Sequence, residues 1–196
     1  MRRPSPELVD QLLGVSDRVL APGSMAGIDT VSSLTGIPRA TLYYHFPGRE
    51  ALVDFLLAGK VARIGARIDE ARRRQDENPV AQLRTVLTTT LETVAQHPEL
   101  CTTLAARLAV LRVGDPLRTA VDRSILRPLA TILADGRDSG YLEVDEPKLM
   151  ANALYGAVSM AALSRYADDG RIDAGRLADS LVPRLMASVA ASPRKL

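Results

Sequence analysis

The sequence predicts an all-α protein of about nine helices, with a small three-helix domain over residues 1–48 followed by a larger helical domain over residues 49–196. Three observations carry that expectation. Apolar residues recur at helical spacing along the chain, almost every break is marked by proline, glycine or an N-capping side chain, and no stretch shows the alternation of a half-buried strand. With 196 residues and 46% hydrophobic content the chain can bury a sizeable core and is not a disordered tail.

The first helix is expected from Ser5-Pro6 to about Leu20, because Leu8, Leu12, Val15 and Val19 form one stripe that Pro22-Gly23 ends. A short helix from about Ile28 to Thr35 offers Ile28, Val31 and Leu34 for burial. A third starts near Pro38, where a missing N–H costs nothing. The fourth runs from Arg49 to about Arg74 with Leu57, Val61, Ile64 and Ile68 on one face, Gly59 and Gly65 to soften it, and Arg72, Arg73 and Arg74 suited to its C-terminus. Asn78-Pro79 caps a fifth to about Gln96, with Leu83, Leu87, Thr90 and Val94 on one face, and His97-Pro98 ends it. Leu100, Leu104, Leu108 and Leu111 mark a sixth; Gly114-Asp115-Pro116 opens a seventh toward Asp138, kinked at Pro128. Asp145 is expected to cap an eighth to about Tyr166, and Asp173 a ninth to about Ala191, where Leu177, Leu181, Leu185 and Val189 repeat every four residues and Pro183 threatens continuity.

The segment GIPRATLYYHFPGRE, residues 36–50, is the most informative in the chain. Gly36 supplies the permissive backbone of a tight interhelical turn, and Leu42 and Phe46 lie four apart, so one face of the short helix can anchor to a core. Arg39, Thr41, Tyr43, Tyr44 and His45 then point elsewhere. Arginine can grip guanine O6 and N7 in a major groove, while hydroxyls and a histidine N–H reach phosphate oxygens. Arg49 opens the next helix after Pro47-Gly48, where its charge and the free N–H groups can converge on one phosphate. Packing aromatics and a solvated arginine are the bland alternative, yet three of the seven aromatics of the chain fall between Tyr43 and Phe46. The layout is that of a helix-turn-helix with its recognition helix.

At these residues the chain resembles the tetracycline-repressor (TetR) family of bacterial regulators. That family closes its DNA-binding domain with a motif of the form GV-x-x-x-TLY-x-HF-x-x-K-x-AL, which Gly36, Thr41, Leu42, Tyr43, His45, Phe46, Ala51 and Leu52 match, with Ile37 and Arg49 as near equivalents. The resemblance implies that Arg39 and Ala40 read bases and that Thr41, Tyr43, Tyr44, His45 and Arg49 contact phosphate or neighbouring base edges. Pro38 and Ala26-Gly27 depart from the family pattern at two helix starts, and both departures weaken caps. The resemblance further implies a ligand cavity bounded by the fourth to eighth helices, and a ligand that shifts the fourth helix and so the spacing of two recognition helices. Inward-facing candidates are Leu57, Val61, Ile64, Val86, Thr90, Cys101, Leu104, Leu108, Ile125 and Tyr155, a mostly aliphatic set that is equally the stuff of plain core.

The last two helices bear on assembly. Ala151, Ala153, Gly156, Ala157, Ala161 and Ala162 let another helix approach closely, and the ninth helix adds an apolar stripe with Met186. Either both faces close the protomer's own core, or they form a two-fold four-helix interface; the family resemblance favours a homodimer, whose symmetry suits a palindromic operator. The expected function is a ligand-responsive transcriptional repressor released by a small, largely apolar effector. The alternative is a protein-interaction module of the same fold without DNA binding.

Composition narrows the rest. The net charge is +2, and residues 1–50 carry five arginines against five acidic groups, so specificity must come from placement. Arg2 and Arg3 are a polar start, solvated or reaching a minor groove as an arm. A single cysteine, and no run suited to a signal peptide or membrane span, point to the reducing cytoplasm. His45 and His97 fall in different expected domains, Cys101 lacks further ligands, Asp145-Glu146 and Asp168-Asp169 sit at helix ends, and no Gly-rich phosphate loop occurs. No enzyme activity, metal or cofactor is therefore expected.

Overall fold

The structure is a computed structural model that describes residues 4–21, 24, 26–74, 78–110 and 114–191. Pro22-Gly23, Leu111, Arg2 and Arg3 lie outside the described residues. The described chain is helical throughout, in the order α1 (Pro6–Gly14), α2 (Ser16–Val19), α3 (Ile28–Thr35), α4 (Arg39–His45), α5 (Arg49–Arg73), α6 (Pro79–Gln96), α7 (Pro98–Leu108), α8 (Pro116–Val121), α9 (Arg127–Asp138), α10 (Pro147–Asp169) and α11 (Ala174–Ala187).

The starts of several helices follow from local chemistry. Ser5 accepts a hydrogen bond from the Leu8 N–H, Asn78 from Val80 and Ala81, and Asp173 from Arg176, each ahead of a helix with orphan donors. Asp145 caps nothing: α10 begins two residues later at Pro147, and the cap position falls to Glu146, which makes no side-chain cap bond. Proline in the first turn sets that start instead.

Three further expectations are corrected by backbone bonding. The single helix expected from residue 5 to residue 20 breaks at Val15, where Gly14 is a poor helix former and the Ser16 hydroxyl donates to the Leu13 carbonyl at 2.6 Å. At Pro128 the chain widens into a π-helical turn, Asp122–Leu126, between α8 and α9. Proline has no N–H to offer the carbonyl four residues back, that of Ser124, and a π turn absorbs the mismatch. The last helix stops at Ala187 rather than about Ala191, because the chain beyond it pairs with the α9–α10 loop: the Glu143 N–H donates to the Val189 carbonyl at 2.9 Å, and Leu142 faces Ala190 in one antiparallel bridge. Pro183 does not interrupt α11, since it and Asp179, whose carbonyl it leaves free, lie on the exposed side where water can serve.

Two apolar clusters form the core. One lies under the N-terminal helices and joins Leu12, Leu42, Phe46, Leu52 and Leu56 to Leu104, Leu117 and Ile125. The other joins α6 to α9, α10 and α11 through residues such as Leu83, Leu87, Leu129, Leu154 and Val182. The long α5 belongs to both, carrying Val53, Leu57 and Val61 in the first and Ile68 in the second. Gly59 and Gly65, expected to soften this helix, instead admit neighbours: a β-carbon on Gly59 would meet the Leu13 side chain, and one on Gly65 would meet the Ser124 backbone. Among the described residues no helix is long and apolar enough to cross a membrane.

Candidate nucleic-acid interface and effector region

The turn between α3 and α4 is built as its residue types require. Gly36 takes the left-handed conformation at φ 73° and its N–H closes α3 on the Ser32 carbonyl, while the Ser32 hydroxyl donates to the Ile37 carbonyl at 2.7 Å. Ile37, Leu42 and Phe46 are buried, and Phe46 packs on Phe55 of α5 with ring centroids 5.1 Å apart. That anchoring fixes which way the rest of α4 looks. Tyr43 and Tyr44 stand 54% and 59% exposed, Arg39 and Ala40 are exposed, and Thr41 and His45 are half-buried. The Tyr44 and His45 rings meet edge to face at 5.1 Å. A hydroxyl-rich, solvent-facing helix surface thus sits on a rigid apolar base.

The two arginines at the ends of this surface are engaged within the chain. Arg39 pairs with Asp29 in the first turn of α3 at 3.0 Å, both side chains being mostly exposed, so water or a nucleic acid can displace that contact at little cost. Arg49 staples the loop before α3: its Nε donates to the Ala26 carbonyl at 3.1 Å and one terminal nitrogen, Nη2, to the Ser24 carbonyl at 2.9 Å. The other, Nη1, lies 3.6 Å from Glu50. Neither α3 nor α4 has a side-chain cap bond, Gly27 and Pro38 holding those positions.

The residues expected around an effector divide between the two clusters. Leu57, Val61, Leu104 and Ile125 are buried in the first with Leu108 packed against it; Val86 is buried in the second with Ile64 and Cys101 packed against it. Thr90 is buried and its hydroxyl is satisfied by the Val86 carbonyl at 2.7 Å. Tyr155 touches both clusters and stands at their junction. Burial pushes the Tyr155 hydroxyl up to about 12, helped by the neighbouring Cys101, and burial alone pushes the Cys101 thiol up to about 11. Ser159, one turn further along α10, keeps its Oγ buried and without a hydrogen-bond partner, although it lies close enough to Tyr155 to temper that rise. Ser159 is not among the residues the sequence points to, since a serine on an alanine-rich helix carries no signal of its own. None of the expected residues lines the two surface hollows beside α9, of about 480 and 310 Å³, which share Arg127 and Thr131. Among the described residues no cluster of three or more His, Cys, Asp or Glu could hold a metal ion.

On α10, Leu149, Ala153, Ala157 and Met160 form one exposed face, with Leu149 at 62% and Met160 at 59%. Ala151 and Ala162 turn the other way, into the core. A β-carbon at Gly156 would meet nothing within 4 Å. On α11, Leu177, Leu181 and Leu185 are half-buried.

This fold is that of the TetR/AcrR transcriptional regulators, the family whose motif residues 36–52 resemble. A TetR/AcrR-family regulator from Thermobifida fusca is similar at TM-score 0.68 and 17% identity over 92% of this chain and 97% of that one. The regulator FadR of Bacillus subtilis, solved in complex with stearoyl-CoA, is similar at TM-score 0.70 and 18% identity over 91% and 97%. The ketosteroid regulator KstR2 of Mycobacterium tuberculosis is similar at 0.65 and 17% over 96% and 98%. No protein-family model matches the chain, and no curated protein matches it in sequence.

Proposed function

We propose that the chain is a TetR-family, ligand-responsive transcriptional repressor of the cytoplasm, which binds a palindromic operator as a homodimer and is released by a small, largely apolar effector. Residues 1–48 would form its DNA-binding domain and residues 49–196 its effector and dimer domain. The observation that carries the reading is the orientation of α4: Leu42 and Phe46 are fully buried while Tyr43, which matches the family motif, and its neighbour Tyr44 face solvent. Arg39 and Ala40 would read bases in this scheme, with Thr41, Tyr43, Tyr44, His45 and Arg49 positioning the helix on phosphates.

The dimer reading is supported by the exposed apolar face of α10, whose small residues allow close helix approach, and by the half-buried leucines of α11. The effector reading is supported by the aliphatic surroundings of Tyr155 and by a neighbour solved with stearoyl-CoA, whose acyl chain is apolar. The structural neighbours are regulators, which also supports the absence of enzymatic activity. Release would be a population shift: the effector must favour a state that DNA disfavours, with reciprocal coupling.

Mobility shift on the DNA flanking the chain's own gene tests the proposal. Arg39→Ala and Tyr43→Ala should both weaken the shifted complex, and unchanged binding by both would remove its basis. The second reading, an interaction module without DNA binding, is favoured by the balanced charge of residues 1–50 and by the internal engagement of Arg39 and Arg49. Affinity that falls steeply with salt and prefers one sequence separates the two.

A further inference from the structure

Arg49, Glu50, Arg107 and Asp54 form a line of alternating charge from the first turn of α5 to α7. The Arg107 guanidinium clasps Asp54 with Nε at 2.9 Å and Nη2 at 2.7 Å from both carboxylate oxygens, and its Nη1 donates to Glu50 Oε2. The other oxygen of Glu50 lies 3.6 Å from Arg49 Nη1. Because Nε and one N–H of Nη2 of Arg49 already serve the Ala26 and Ser24 carbonyls, Nη1 carries two of the three donors left to meet a phosphate. Glu50 is therefore the natural competitor for that edge: it stands beyond hydrogen-bond reach of Arg49 Nη1 while Arg107 holds its other oxygen. The Arg107–Asp54 pair is three-quarters or more shielded from solvent, so this hold is less screened than an ordinary surface ion pair.

We propose that Arg107 is a positioning residue for DNA binding: by holding one oxygen of Glu50 on the α7 side it keeps Glu50 from closing fully onto Arg49 Nη1, so that a phosphate can displace it there. The inference rests on the regulator reading above. It also gives α7 a direct route to the DNA surface, since Arg107 sits between Leu104 and Leu108, which pack with the first core. An effector that moved α7 would release Glu50 onto Arg49 and weaken the grip on phosphate without touching α4.

The test is a double-mutant cycle on DNA affinity, read on a preferred duplex and on an unrelated one. Arg107→Ala should lower affinity by about tenfold on both, because a masked phosphate contact weakens binding uniformly across sequences. In a Glu50→Gln background the same Arg107 substitution should cost no more than about twofold, the coupling of two neighbours that act as a unit. Arg107→Gln, which can still donate to Asp54 but carries no charge, serves where the alanine variant fails to fold, and thermal melts accompany each variant. A loss that persists equally in the Glu50→Gln background, or no loss at all, overturns the proposal while leaving the regulator reading intact. Failure of the unsubstituted chain to bind either duplex overturns the regulator reading itself, and the role of Arg107 with it.

Discussion

Gly65 of α5 lies so close to Ser124 that a β-carbon on it would stand 2.4 Å from the Ser124 carbonyl oxygen. Pro128 cannot donate to that same carbonyl, the chain opens into a π turn there, and the long helix docks against the opened backbone. Gly65, Ser124 and Pro128 thus make one joint between α5 and the helix run from α8 to α9.

Gly65→Ala forces backbone against β-carbon, with no flexible side chain to yield. It should destabilise the protein by about 1–3 kcal/mol, as overpacking of a close contact does. Gly59→Ala meets only the far end of the Leu13 side chain and should cost less. Urea unfolding of both variants checks the order; equal effects would show that α5 can slide away from Ser124.

Gly27→Ser should stabilise the DNA-binding end. Gly27 caps α3 from an extended conformation, φ −118°, with open space around a β-carbon, and it offers no side-chain acceptor. A serine there supplies the missing cap and narrows the unfolded ensemble, together about 0.5–1 kcal/mol. A lower melting temperature would mean that this loop needs the freedom of glycine.

Ser159→Ala removes a buried hydroxyl that makes no hydrogen bond in range and has Tyr155 as its polar neighbour, so it should leave stability unchanged or raise it by up to about 1 kcal/mol. A clear loss of stability would show that the hydroxyl is bonded in the folded protein.

Cys101 should resist alkylation near pH 8, because burial holds its thiol up to about 11 and the reactive thiolate is scarce. Since the folded state binds this proton more tightly than the unfolded chain, the associated stability is complete below the ordinary thiol value of 9.0 and is lost as pH climbs toward 11. Tyr155 has the same sign over a higher window, from 10.0 to about 12. Melting curves between pH 8 and 11 should show a decline that Cys101→Ala reduces; labelling at the rate of a free thiol would contradict the burial.

Much of this architecture was legible in the residues. Asn78-Pro79 and Asp173 announced helix starts that the structure places where the cap chemistry puts them, and Gly36 marked the turn of the helix-turn-helix. The faces of α4 followed from the four-residue spacing of Leu42 and Phe46. What could not be read was long-range: Pro128 marked a break, but the docking of Gly65 of α5 against Ser124 of the π turn, and the end of α11, set by pairing with residues 141–143 rather than by its own leucines, arise only in the folded chain. The Arg107 array was hidden for the same reason: Glu50 and Asp54 share a face of α5, but Arg107 reaches them only by tertiary packing. Arg49 read as a phosphate clamp, and nothing local disclosed that it also staples the loop at Ser24 and Ala26.

Selection of bound duplexes from a pool of random sequence asks most directly whether two copies of α4 are presented to DNA by a two-fold dimer. The enriched duplexes should carry an inverted repeat whose half-sites lie about 34 Å apart, one turn of B-form DNA, or a multiple of it. Enrichment of a single unrepeated site, or no enrichment over the starting pool, would contradict it.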